Sequence, residues 1–124
     1  EALNISGNGP GEIAFVNAHG TGTPDNDRVE STVLSEVLPG VPFVSTKGFT
    51  GHTLGAAGAI EAAFTVACLE RAMIPGNAGF VNPEPNLPAA PEPSPLVVNG
   101  NSAISQSLAF GGCNGVLVFG KGER

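Results

Sequence analysis

The chain has 124 residues, 41% of them hydrophobic and only 13% charged, with a formal net charge of -6. That is a one-domain length. Its basic residues (Arg28, Lys47, Arg71, Lys121 and Arg124) are scattered, which excludes a nucleic-acid-binding stripe. The longest apolar run, Ala62 to Leu69, is too short to span a bilayer. So little charge is unusual for a free-standing surface and implies that part of this one is covered by other protein.

In chain order, Glu1 to Ser6 reads as the last turns of a helix, broken by Gly7-Asn8-Gly9-Pro10-Gly11. A domain rarely starts this way, so the expected start lies upstream. No signal peptide is visible in the acidic, polar N-terminus. Ile13-Ala14-Phe15-Val16 is a short apolar run of the buried-strand type. A loop follows through Asp25. Asp27-Arg28-Val29-Glu30 has the form of a capping box, and the helix after it places Val29, Val33, Leu34, Val37 and Leu38 on one face. Pro39-Gly40 stops it. Val41 to Ser45 predicts a second strand.

The second helix is expected from His52 to Met73. Its residues Ala56, Ala57, Ala59, Ile60, Ala62, Ala63, Phe64, Val66 and Leu69 cover nearly every side. An all-round apolar helix outside a membrane belongs in the middle of a large core. This chain supplies one sheet, so a second must come from elsewhere. Prolines crowd Pro75 to Pro95, an extended connection. Leu96 to Val98, Ala103 to Leu108 and Val116 to Phe119 close the chain as strands. The order is β-α-β-α-β-β-β, a mixed sheet with helices packed on it. Cys68 and Cys113 lack the spacing of a metal knuckle or redox pair and read as reduced, buried thiols. A reducing, cytoplasmic setting is expected.

Chemistry concentrates at two strand ends. His19 sits in Asn17-Ala18-His19-Gly20-Thr21-Gly22-Thr23-Pro24, and His52 in Thr46-Lys47-Gly48-Phe49-Thr50-Gly51-His52-Thr53-Leu54-Gly55-Ala56-Ala57-Gly58. They are the only histidines. Glycines beside them let backbone and ligand approach closely. Lys47, five residues before His52 in the same loop, needs an anionic partner or a task among apolar neighbours. Glu61, inside the apolar helix, needs a cation or a raised pKa. Gly51, Gly55 and Gly58 lack dinucleotide spacing, and Lys47 precedes rather than ends its glycines, so no phosphate loop is read here. Cys113 or a carboxylate as a third ligand to the histidines has no local metal-binding spacing.

Together these residues resemble the β-ketoacyl-acyl carrier protein synthases, the thiolase-fold condensing enzymes. The Asn17 to Pro24 motif resembles the family's first histidine motif. Ser45-Thr46-Lys47 through Gly51-His52, then Gly55 to Glu61, resembles its lysine and second histidine motif. Phe110-Gly111-Gly112-Cys113-Asn114 resembles its C-terminal glycine loop. The three occur in family order along nearly the whole chain. The resemblance implies an α/β fold for residues 1–124: the C-terminal thiolase-like half, a five-stranded mixed sheet packed with helices. It would pair with an N-terminal half in an αβαβα layering. It implies decarboxylative Claisen condensation of malonyl-carrier protein with an acyl thioester held on a cysteine. In that reading His19 and His52 donate hydrogen bonds to the forming enolate, and Lys47 supports them. Thr21 and Thr23 bind the pantetheine arm. Phe110, with Gly111 beside it, gates the acyl pocket. Asn17, Glu30, Glu61 and Ser105 match positions that surround a structural monovalent cation in some members. Glu30 fits the capping box equally well, and one carboxylate serves both. No resident cofactor is implied, because phosphopantetheine arrives on the carrier protein. The implied partners are the N-terminal half and the acyl carrier protein, with a dimer when complete and neither nucleic acid nor membrane.

Three departures stand out. The family's nucleophilic cysteine lies in the N-terminal half, and neither Cys68 nor Cys113 has its context, so the chain alone is expected to be inactive. Leu108-Ala109 stands where Phe-Gly is frequent, and a positive φ at Ala109 would be costly. Gln106 replaces a common asparagine. Two alternatives are a non-catalytic chain-length-factor-like subunit, against which intact His19, Lys47 and His52 argue, and a self-sufficient thiolase-fold binding module, which leaves one apolar side of the second helix bare.

Overall fold

A computed structural model describes residues 1–122; Glu123 and Arg124, the end of the expected domain, lie outside the described residues. The first element, α1 (Ala2–Ser6), ends on Gly7 at φ 73°, the left-handed conformation that glycine adopts without strain at a helix C-terminus. Strand β1 (Ile13–Asn17) is buried at every position, as a central strand covered on both faces must be. It runs parallel to β2 (Phe43–Val44) on one side and to β5 (Ser102–Ser107) on the other. β6 (Gly115–Gly120) pairs antiparallel with β5. The sheet is therefore mixed, in the order β2-β1-β5-β6.

Among the described residues it has four strands, not the expected five. Leu96–Val97 (β4) pairs instead with Met73–Ile74 (β3) in a separate antiparallel ribbon. Pro75 directly follows β3, and without an N–H it cannot extend a ladder. The edge of β2 is covered by the proline-rich segment. Glu92 N–H donates to Phe43 O at 2.9 Å, and Ser45 N–H donates to Asn77 Oδ1 at 2.7 Å.

Helices cover both sheet faces. Leu34 and Leu38 at the end of α2 (Pro24–Val37) pack with Ile13, Val16, Ala18 and Ile104. On the opposite face, Leu69 of α4 (Ala57–Arg71) packs with Phe15, Val44, Ile74, Val98 and Ala103. Each fully buried leucine contributes about 1.5–3 kcal/mol.

Two helix starts differ from expectation. α2 begins at Pro24, with Thr23 as N-cap and no side-chain cap bond. Proline pre-sets the first helical φ, which moves the start ahead of Asp27. Asp27 is then inside the helix and the Asp27–Glu30 capping box does not form. The buried face is Glu30, Ser31, Leu34 and Leu38, while Val29, Val33 and Val37 are exposed. Each valine precedes a buried residue by one position, about 100° around the helix. The second helix begins at Ala57 rather than His52. Gly51 at φ 70° and ψ 176° ends a single helical turn, α3 (Lys47–Thr50), and Leu54–Ala56 forms a tighter turn before α4.

The side of α4 away from the sheet stays apolar and open: Ala59, Ala63, Phe64 and Val66 are exposed. No helix of the described residues is long and apolar enough to cross a membrane. Cys68 is half-buried and Cys113 exposed, both free. Burial pushes the Cys68 thiol up, with Arg71 opposing. The expectation of a second buried thiol fails because Cys113 follows glycines with φ 79° and 80° in a turn that lifts it into solvent.

Candidate active site

The end of β1 is fixed by Asn17, buried on the α4 side. Its amide donates to Glu61 O at 3.1 Å, Thr65 Oγ1 at 3.2 Å and Thr46 Oγ1 at 3.2 Å, and its Oδ1 accepts Thr46 N–H at 3.2 Å. One side chain thus joins β1, the start of α3 and α4. Beyond it the chain turns sharply. Gly20 adopts φ 44°, and a Cβ there would lie 2.4 Å from Ser45 Cβ, so only glycine fits.

His19 stands at this turn, buried, with its Nδ1 3.3 Å from Lys47 Nζ. Lys47 is itself buried and its ammonium forms an ion pair with Glu61 Oε1. Ser107 Oγ donates to the other Glu61 oxygen at 3.5 Å. The buried lysine and the carboxylate of the apolar helix therefore answer each other, which satisfies both only because the pairing is direct. An ammonium has only donors, so His19 Nδ1 must accept, and the ring proton sits on Nε2.

His52 follows the same logic by a different route. Leu54 N–H donates to His52 Nδ1 at 3.2 Å, which again leaves the proton on Nε2. Leu54 reaches that position in the left-handed region, at φ 52°. This is strained for a branched side chain, and such strain persists where surrounding structure enforces it. The two imidazoles meet edge to face, with centroids 5.6 Å apart and planes at 87°. Burial holds His19 below the usual histidine value, and Lys47 lowers it further. The Glu30 and Glu61 carboxylates oppose this and His52 adds a small lowering, so the net direction favours the neutral ring.

A cleft of about 590 Å³ opens beside the pair. His52 lines it, as do Ala18 and Gly20 on either side of His19, and Thr21. The segment from Asn77 to Phe80 forms another wall. Thr21 Oγ1 shares a hydrogen bond of 3.0 Å with Thr23 Oγ1 at the rim. Phe110 and Gly111 are not brought to this cleft. The turn carrying them projects outward and Phe110 is fully exposed. Ala109 is not strained either: its φ is -134°, and Gly111 and Gly112 carry the positive angles.

The residues expected around a monovalent cation do not offer it a cage. Asn17 spends its amide and its oxygen on Thr46, Glu61 and Thr65. Glu61 faces the Lys47 ammonium and Ser107. Glu30 accepts His19 N–H at 2.6 Å, Gly20 N–H at 2.7 Å, Asn26 Nδ2 at 3.0 Å and the Gln106 amide. Ser105 lies beside Asn17 in the β1–β5 ladder. A cation there would have to displace an ammonium and several N–H donors. No cluster of three or more His, Cys, Asp or Glu among the described residues has metal-holding geometry.

The Lys47–Glu61 pairing, the Leu54 N–H and the Gln106–Glu30 contact are not assigned by the sequence reading. The first has a signal, two isolated charges among apolar residues. The other two depend on chain geometry that no spacing encodes.

Residues 1–81 match the model of the beta-ketoacyl synthase C-terminal domain. The mitochondrial 3-oxoacyl-[acyl-carrier-protein] synthase of Arabidopsis thaliana is 41% identical over 95% of this chain, which covers 27% of that relative. A chain of the complex between a ketosynthase and its chain length factor from Xenorhabdus doucetiae superposes with a TM-score of 0.84 at 38% identity, over 96% of this chain and 31% of the other. A chain of a complex between a type II polyketide acyl-carrier protein and its ketosynthase gives a TM-score of 0.89 at 28% identity, over 98% of this chain and 31% of the other. The chain therefore spans less than a third of the length of these relatives. The matched residues take in both histidine motifs, Lys47 and Glu61, and with this mixed sheet around them the chain belongs to the beta-ketoacyl synthase family as its C-terminal domain.

Proposed function

We propose that this chain supplies the enolate-stabilising half of a condensing enzyme's active site. The observation that carries this is the matched tautomer of the two histidines: each ring accepts a bond at Nδ1 and so presents Nε2–H. A malonyl thioester that loses carbon dioxide develops negative charge on its carbonyl oxygen. Two neighbouring neutral N–H donors would stabilise that oxygen, at about 3–4 kcal/mol each by analogy with oxyanion sites. The resulting enolate attacks an acyl thioester, forming the new carbon–carbon bond and releasing the acyl group's thiolate. Lys47 stays in its ion pair with Glu61 and acts by fixing His19.

The cysteine that would hold the acyl group belongs to an N-terminal half, the first partner in this reading. The second is an acyl carrier protein. Its pantetheine arm would enter the cleft past Thr21, with Thr23 held against it. A dimer of complete synthases and a reducing, cytoplasmic setting belong to the same reading, the latter supported by the free thiols of Cys68 and Cys113. In the assembled enzyme Phe110, exposed on a turn with Gly111 and Gly112 after it, would gate the acyl pocket. The intact His19, Lys47, His52 and Glu61 set favours a catalytic subunit over a chain-length-factor-like one.

The test is condensation of acyl- and malonyl-carrier protein, measured by product mass. This chain alone should give none, and the complete synthase should be active. His19→Ala or His52→Ala in the complete enzyme should each lower malonyl decarboxylation by about 10²–10³-fold. Activity from the chain alone, or full activity in both variants, would refute the reading.

A further inference from the structure

The carboxylate of Glu30 lies at the foot of the His19 turn and has no part in the chemistry described above. Its two oxygens receive four N–H donors from three parts of the chain. His19 N–H and the Gln106 amide reach Oε1, while Gly20 N–H and Asn26 Nδ2 reach Oε2. Glu30 and Gln106 are both buried. Successive backbone N–H groups beside a left-handed glycine form a natural anion-binding concavity, here filled from within the chain. Asn26 lies one helical turn before Glu30 on α2 and Gln106 is near the end of β5. The carboxylate therefore ties a helix and a strand to the two peptide units that set the His19 ring.

A bound cation is one way to hold a buried carboxylate in place. N–H dipoles are another, and here they already fill the lone pairs. We infer that Glu30 and Gln106 are positioning residues, a cation-independent clamp that fixes the His19–Gly20 turn and so the aim of His19 Nε2–H. The effect on turnover rests on the condensing function proposed above; the effect on the turn does not.

Hydrogen exchange of the peptide covering residues 17–22, in the complete synthase, separates the two. Wild-type protection should be the same in potassium chloride and in choline chloride of equal ionic strength. Gln106→Met keeps the volume and removes the donor. It should speed exchange of the His19 and Gly20 amides about tenfold or more, the scale of a lost hydrogen bond to a charged group. It should also lower kcat with little change in KM for malonyl-carrier protein. Gln106→Glu places a second carboxylate beside the first and should make protection depend on potassium. If Gln106→Met does not fold, Asn26→Ala, which removes only an outer contact, should still speed exchange several-fold. Loss of wild-type protection in choline, or unchanged exchange in whichever variant folds, overturns the clamp. A wild-type enzyme with protected amides and no condensing activity would instead overturn the functional reading and leave the clamp standing.

Discussion

His19 owes its chemistry to its neighbours rather than to its exposure. Removal from water and the adjacent ammonium both disfavour its protonation, so it stays neutral at a pH where a free imidazole, near 6.5, begins to charge. The sign for stability follows. A histidine whose folded pKa is lowered binds fewer protons folded than unfolded between the lowered value and 6.5. Its contribution to stability is full above 6.5 and is lost as pH falls from there through the lowered folded value. The acid limb of malonyl decarboxylation should therefore lie below pH 6.5, and Lys47→Met should shift it upward. A pH–rate profile of the two enzymes measures both. Lys47→Met also leaves Glu61 buried without a cation, at a cost of about 3–5 kcal/mol. Replacing both, as Lys47→Met with Glu61→Met, should recover most of that stability in a denaturant titration without recovering activity. A double variant as unstable as the single one would show that the pair is not what burial demands. At Leu54 the expected outcome is opposite in sign. Leu54→Gly keeps the N–H that orients His52 and removes a left-handed leucine, so thermal stability should rise by about 1 kcal/mol with activity retained.

At the scale of elements, the parts legible in the sequence are those whose signal is local. β1, the glycine break after α1, the Pro39-Gly40 stop and the apolar α4 all follow from residue type and period. The lower face of α2 does not, because Val29, Val33 and Val37 look like a core stripe while Glu30 reads as a capping carboxylate. The folded helix reverses this: the carboxylate is needed beneath the His19 turn, and the buried stripe moves with it by one residue. The fifth strand fails for a related reason. Short apolar runs pair wherever an edge is offered, and here Leu96–Val97 finds Met73–Ile74 while the proline-rich segment closes the β2 edge through Asn77 and Glu92. That closure is testable. Asn77→Ala removes the acceptor for Ser45 N–H and should cost about 1–3 kcal/mol. It should also raise hydrogen exchange at Ser45, with β5 unaffected. Equal exchange at both would show that the segment merely lies over the edge.

The described residues are organised around α4, whose one side reaches the site and the core and whose other side is apolar and open. α4 turns Glu61, Thr65 and Leu69 toward its own sheet, where they hold Lys47, Asn17 and the core. Its other side, with Ala59, Ala63, Phe64 and Val66, meets solvent. In the enzyme proposed above, the acyl-bearing cysteine and the surface that covers the open side of α4 would both come from the same partner half. In the proposed enzyme, the residues that stabilise the enolate and the residues that seat the partner half lie on opposite sides of one helix. Expressed alone, this chain should therefore self-associate through that face, because contiguous exposed apolar surface drives association. Phe64→Ser with Val66→Ser should reduce the association seen by analytical ultracentrifugation while leaving Lys47, Glu61 and the histidines in place. The same double change in the complete synthase should have the reverse consequence, loosening the halves and lowering the melting temperature. If the paired serines left both the sedimentation of the lone chain and the melting of the complete enzyme unchanged, α4 would not be the central seam.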